Sequence, residues 1–149
     1  MADEIIRASV GEMPVPEFDD PAFVTAPKLS EATVAIVTTA GLRQTGDPSW
    51  TPRDPNYRVY DTDAEDLRLG HLSPNFDRSG FVADINVVYP IDRLKEMADE
   101  GAIGSVAPRH VAFMGAQDGN MTTIRMDTAP AAAKLLREDG VDVVLLTPV

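Results

Sequence analysis

Cysteine is absent from the 149-residue chain, which removes disulfides, thiolate metal sites, CxxC redox centres and cysteine nucleophiles at once. Histidine is nearly as scarce. His71 and His110 are the only two, too few for a multi-histidine metal site within one chain. No apolar run approaches the roughly eighteen residues that span a bilayer. The opening stretch MADEIIRASVGEMPVPEFDD carries acids where a secretory signal has lysines, and it contains no apolar h-region. Neither GxGxxG nor GxxxxGK occurs, so nucleotide binding has no motif behind it. Basic residues are outnumbered, 13 against 24 acids, and the net charge of −11 repels nucleic acid and anionic membranes. These absences predict a cytoplasmic protein without a metal, a nucleic-acid partner or a membrane partner. The acidity itself reads first as a solubilising surface.

What is present is enough for one domain with a core, since 44% of the residues are apolar. Residues 1–32 are rich in proline and acid. Pro14, Pro16, Pro21 and Pro27 remove amide donors and fix φ, predicting an extended arm with Phe18 and Phe23 as anchors. Residues 33–149 are expected to form an α/β domain, either whole or lacking a C-terminal half. ATVAIVTTAGL reads as a buried parallel strand closed by a glycine turn. The following polar region, 43–83, is dense in turn residues, with YRVYD and DLRLG as short strands. A connection of that length is functional or covers a partner surface.

Regular structure returns after Pro90, where Ile91, Leu94, Met97 and Ala98 form a helical stripe that Gly101 ends. A strand at Ile103–Val106 or Val111–Phe113 should follow. In the last unit Thr128 is placed to cap a helix with Pro130 in its first turn. Ala132, Leu135 and Leu136 face inward, and Gly140 closes it. The final VDVVLLTPV reads as a buried strand. Strand, loop, helix, strand, helix, strand predicts a three-layer parallel sheet, Rossmann- or flavodoxin-like.

Three places carry candidate chemistry. Thr38 and Thr39, in the turn TTAGL at the carboxyl end of the first strand, offer hydroxyls and bare amides to a carboxylate or phosphate. The alternative is a tight turn whose hydroxyls serve the backbone. In APRHVAFMG, Arg109 is suited to clamp a carboxylate in bidentate fashion, and His110 to move protons near neutral pH. The alternative is an Arg109 paired with one of the many acids and a His110 satisfied inside the fold. His71 lies in the polar loop near Asp66 and Asp77, where a solvated ring is the plainer reading. Asp84 and Asp92 read as helix-start residues.

VAIVTTAGL, DPNYRVYDTDAEDLRLGH, DINVVYPIDRLKEMADEGAIGSVAPRHVAFMG and APAAAKLLREDGVDVVLLTPV occur in that order. From Ala32 to the last residue they resemble the glycine/sarcosine/betaine reductase selenoprotein B family, which includes the D-proline reductase selenoprotein subunit. The resemblance implies that the segment like VLLTPV is followed by the redox residue, a selenocysteine or cysteine in a U/C-x-x-C motif. It implies reductive Cα–N cleavage of an amino acid or amine derivative by a selenolate or thiolate. Electrons would come from the thioredoxin system, in a complex with pyruvoyl-containing partners. The nucleophile would then lie on a following or partner segment, through a UGA read as stop, processing or a split subunit. Thr38, Thr39, His71, Arg109 and His110 would position substrate, with His110 as candidate acid or base. The isolated chain is expected to be inactive, to bind no cofactor itself and to form a homo- or hetero-oligomer. Two further readings stand beside this: a stand-alone non-redox binding subunit, and a small hydrolase or lyase using His110 and Arg109.

Overall fold

Seven strands occur among the described residues: β1 (Thr33–Thr38), β2 (Leu42–Arg43), β3 (Tyr57–Asp61), β4 (Arg68–Leu69), β5 (Ser105–Val106), β6 (Arg109–Phe113) and β7 (Val143–Thr147). Four α-helices accompany them: α1 (Ala2–Gly11), α2 (Ser79–Ala83), α3 (Ile91–Asp99) and α4 (Ala129–Glu138). The computed structural model describes residues 2–12, 24–73, 78–117 and 119–149. Phe18, Phe23, Pro14, Pro16, Pro21 and Asp77 lie outside the described residues.

β1 is the centre of the main sheet. On one side β7 pairs with it in parallel from Val34↔Val143 to Thr38↔Thr147. On the other side β5 takes its amino half, Thr33↔Ser105, and β6 its carboxyl half, Val37↔Val111, both in parallel. Pro108 stands between β5 and β6 and splits what would otherwise be one strand. The alternation of β1 sends Val34 and Ile36 to one face, under Val88, Tyr89, Ile91 and Leu94 of the α3 region. Ala35 faces the other way, with Val111 and Phe113, beneath Ala132 and Leu136 of α4.

Three expectations need correction. The sheet is mixed and curled rather than an open parallel Rossmann- or flavodoxin-like one, because β3 runs antiparallel to β6, from Tyr57↔Phe113 to Asp61↔Arg109. Parallel neighbours need a long crossover, usually a helix. The connection from β1 to β3 contains no helix. It turns at the carboxyl edge of β1, so β3 starts there and runs back. Next, the arm expected to be extended is helical over Ala2–Gly11. No proline precedes Pro14, and ADEIIRASVG is composed mostly of residues that tolerate helix well. Finally, VDVVLLTPV does not end as a buried strand. β7 hydrogen-bonds β1 on one side only, and Val144, Leu145 and Leu146 are exposed.

The last helix also begins differently. Thr128 does not cap it; its hydroxyl donates to the Pro55 carbonyl at 2.7 Å. Helical structure starts a turn earlier and passes through a π-helical stretch, Ile124–Thr128. Gly101 and Gly140 do close their helices in the left-handed region, at φ 73° and 72°.

One carbonyl fastens the polar loop to the sheet. Leu42 O accepts from Trp50 Nε1 at 2.9 Å and from Tyr60 Oη at 2.8 Å. Arg58 lies over the Trp50 ring, 3.9 Å from its centroid. The same guanidinium pairs with Asp47 at 3.6 Å and donates to the Pro48 carbonyl at 2.7 Å. The single Tyr60 proton is shared between the Leu42 carbonyl and Asp47, whose carboxylate also lies 2.8 Å from the hydroxyl.

Candidate functional site

Three strand ends meet at Thr39. Its amide donates to the Thr147 carbonyl at 3.2 Å, and its own carbonyl accepts from the Gly115 amide at 2.8 Å. Its hydroxyl accepts from the Val149 amide at 2.7 Å and reaches the Val149 carbonyl at 3.3 Å. Thr38 is fully buried behind it, donating to the Thr147 carbonyl at 3.2 Å and accepting from the Ala40 amide at 3.1 Å. Both hydroxyls thus tie the carboxyl ends of β1 and β7 together.

Gly115 follows β6 into this junction, and only glycine fits. A Cβ there would lie 2.4 Å from His71 Nε2, 2.8 Å from the Val149 carbonyl oxygen and 3.0 Å from that of Thr39. The buried His71 ring accepts the Ser73 amide at Nδ1, 3.1 Å away, so Nε2, the nitrogen facing Gly115, carries the proton of the neutral ring. Burial, reinforced by the charge of Arg78, lowers the His71 pKa and keeps that ring neutral.

A cavity of about 350 Å³ opens beside Gly115, lined by Pro52, Arg53, Leu72, Ser73, Met114 and Ala116 as well. A smaller one of about 150 Å³ shares Arg53 and is lined by Gln117, Asn120, Thr123 and Ile124 at the start of the last helix. Gln117 clamps the two walls: its Nε2 donates to the Asp54 carbonyl at 2.9 Å and to that of Met114 at 3.0 Å.

Arg109 and His110 belong to the opposite, amino end of β6. Arg109 makes a bidentate pair with Asp139, Nε to Oδ2 at 2.8 Å and an Nη to Oδ1 at 2.6 Å. That hydrogen-bonded pairing lowers the Asp139 pKa. His110 is completely buried. Its Nδ1 accepts the Ile36 amide at 2.9 Å and its Nε2 meets the Thr62 hydroxyl at 3.1 Å. Burial, with a smaller contribution from Lys95, pushes its pKa down to about 4. Of the residues singled out by sequence, the fold brings Thr38, Thr39 and His71 together at the carboxyl edge. It gives Arg109 to Asp139 and His110 to the sheet's own backbone. Among the described residues no three His, Asp or Glu side chains gather as metal ligands. No described helix is long and apolar enough to cross a membrane.

The sequence pattern of the glycine/sarcosine/betaine reductase selenoprotein B family matches residues 7–149. The chain belongs to this family. Among curated members of the selenoprotein B family, D-proline reductase subunit gamma of Acetoanaerobium sticklandii is 34% identical over 147 residues, covering 96% of this chain and 60% of that protein. Betaine reductase complex component B subunit beta of Peptoclostridium acidaminophilum is 32% identical over 144 residues, 91% of this chain and 32% of its own length. Glycine reductase complex component B subunit gamma of Carboxydothermus hydrogenoformans is 31% identical over 145 residues, again 91% and 32%. The chain therefore spans three fifths of the first relative and about a third of the others. No solved structure matches it.

Sequence reading singled out neither Arg53 nor Gly115, which line the larger cavity. Gly115 carried a signal, a glycine ending the apolar run VAFM. Arg53, among turn residues, carried none.

Proposed function

We propose that this chain is the substrate-positioning part of a selenol- or thiol-dependent reductase component that cleaves a C–N bond of an amino acid or amine derivative. Family membership supports the reductase class, since the relatives are subunits of D-proline, betaine and glycine reductases. The observation that carries the finer reading is the convergence of Thr39, His71 and Val149 on Gly115. The nucleophile belongs to another segment or subunit, because this chain holds no thiol. A selenol or thiol brought to that junction would supply the attack on the carbon bearing nitrogen, and a thioredoxin-type dithiol the two electrons. Thr39 fixes the height of the β7 end, and Gly115, lacking a Cβ, lets His71, Val149 and Thr39 close around it. The His71 Nε2 proton is buried in this chain and would reach a chalcogenolate only as the following segment packs against Gly115, where it would favour the ionised form. In this reading Arg109 and His110 hold the fold and do not touch substrate.

The test appends a cysteine directly after Val149 and follows its alkylation rate against pH. The expected thiol pKa lies below the ordinary value of about 8.5, and His71→Ala returns it most of the way. An ordinary thiol, indifferent to His71→Ala, overturns the reading. The unmodified chain, given D-proline, glycine, sarcosine or betaine with dithiothreitol, should turn over none of them.

A further inference from the structure

The two-stranded ribbon sets two cations side by side. β2 and β4 make only two cross-strand pairs, Leu42↔Leu69 and Arg43↔Arg68. Residues directly opposite in an antiparallel pair share a face, and like charges there are destabilising. Both arginines line one cavity of about 140 Å³, together with Gln44, Thr45, Gly46 and Asp47. The ribbon closes against Trp50 through a glycine. A Cβ at Gly70 would lie 2.6 Å from the Gly41 carbonyl oxygen and 2.9 Å from Trp50 Cδ1, and Arg43 Cδ sits 3.4 Å from the same point. The Arg43 stem is thus packed in place while its head reaches the cavity.

Carboxylates are plentiful partners on this chain, where acids outnumber bases 24 to 13. Arg58, Arg93, Lys95, Arg109 and Lys134 each have one. Among the described residues no carboxylate forms an ion pair with Arg43 or Arg68, not even Glu65 and Asp66 just before β4. The one acid on the cavity wall is Asp47. Its Oδ2 is already met by the Gln44 amide at 2.7 Å, the Tyr60 hydroxyl at 2.8 Å and Arg58 at 3.6 Å. Two guanidinium forks therefore share one small opening with the exposed residues Thr45 and Gly46.

We infer that the Arg43–Arg68 pair binds a doubly charged tetrahedral oxyanion, a phosphate group. Two positive charges on one face match two negative ones. A tetrahedral ion offers oxygens to both forks at once, where a planar carboxylate fills one. The cavity is smaller than the roughly 300–1,000 Å³ of sites that enclose a whole ligand. It takes the anionic group alone, either a free ion or the end of a phosphomonoester. Once bound, the anion turns the repulsive pair into a bridge between β2, β4 and the Gln44–Asp47 turn. The inference is independent of the reductase reading.

The experiment titrates the ¹⁵N-labelled full chain with inorganic phosphate, sulfate, glycerol 3-phosphate and acetate, at constant ionic strength held with chloride. The expected result is a saturable shift of the Thr45 and Gly46 amides with the dianions and none with acetate. Arg43→Gln and Arg68→Gln should each weaken that binding about tenfold, the loss expected for a charge-assisted pair. Arg68→Lys, which keeps the charge without the fork, should fall between. Arg93→Gln removes the same charge at an exposed pair with Glu96 and should leave the titration unchanged. Tighter binding of glycerol 3-phosphate assigns the site to a phosphomonoester, and tighter binding of inorganic phosphate to the free ion. No saturable shift with any dianion, an equal shift with acetate, or binding untouched by both glutamine variants overturns the inference.

Discussion

His110 Nδ1 accepts the amide proton of Ile36 at 2.9 Å, so a side chain completes a ladder that the backbone leaves open. The break at Pro108 is the cause. The Pro108 carbonyl turns to the Thr62 amide at 2.9 Å, and the Ala107 carbonyl takes the Thr62 hydroxyl. Ile36, at the centre of β1, would otherwise bury a donor with no acceptor, at a cost of about 1–3 kcal/mol. A ring that accepts at Nδ1 must stay neutral.

The fold should therefore weaken in mild acid. The His110 pKa is about 4 in the fold against an ordinary 6.5. Its contribution is complete above 6.5, and it is lost as pH falls from 6.5 toward 4, because the unfolded chain takes up the proton first. The loss is roughly 3 kcal/mol, and His71, lowered in the same direction, adds to it. Urea midpoints at pH 7.5 and 5 measure the fall, and the His110 ring resonances should titrate below pH 5. Titration near 6.5 would remove the ladder role.

Gly115→Ala should destabilise the chain by about 1–3 kcal/mol, the usual result of overpacking. The new methyl meets His71 and two backbone carbonyls within 3.0 Å. Gly119→Ala is the control, since nothing lies within 4 Å of its Cβ position. Equal thermal midpoints for the two variants would show that the junction is loose.

Arg109 and Asp139 should behave as one unit. Arg109→Ala and Asp139→Ala should each lower stability, and the double variant should lose less than their sum. Carboxylate titration of Arg109→Ala should match the unaltered chain. Additive losses, or weakened carboxylate binding, would return Arg109 to the list of ligand-contacting residues.

The free edge of β7 predicts association. Leu146 is 67% exposed on a strand whose outer side has no strand partner among those described, and bare edges recruit strands. Two of the relatives are named as subunits of reductase complexes. Light scattering should show mass rising with concentration, and Leu146→Glu should suppress the rise without lowering the thermal midpoint. A monomer at every concentration would show the edge to be inert.

Much of this was legible in the chain itself. β1, β3 and the stripe of α3 follow from local pattern, and Gly101 and Gly140 mark helix ends because few other residues tolerate that φ. The direction of β3 was not legible, because alternation in YRVYD is the same whichever way the strand runs. Nor was the exposure of β7, since an apolar run does not reveal whether a neighbour covers it. At the site, local sequence ranked the reactive-looking pair Arg109–His110 above His71. Tertiary contacts engage that pair through partners distant in sequence: Asp139 lies 30 residues from Arg109 and Ile36 lies 74 from His110.

The Leu42 carbonyl, which receives both Trp50 and Tyr60, lets the loop of residues 44–56 hang from few points. Its attachment uses one backbone oxygen, the Asp47–Arg58 pair, the Gln117 clamp and the Thr128 hydroxyl on the Pro55 carbonyl, with Tyr60 as the one core side chain of the main sheet among them. Loops of this kind tolerate change better than the elements they join, so 51–56 can vary while β1, β6 and β7 keep the same junction. Drift in the loop and selection for folding then act on largely separate stretches of the gene.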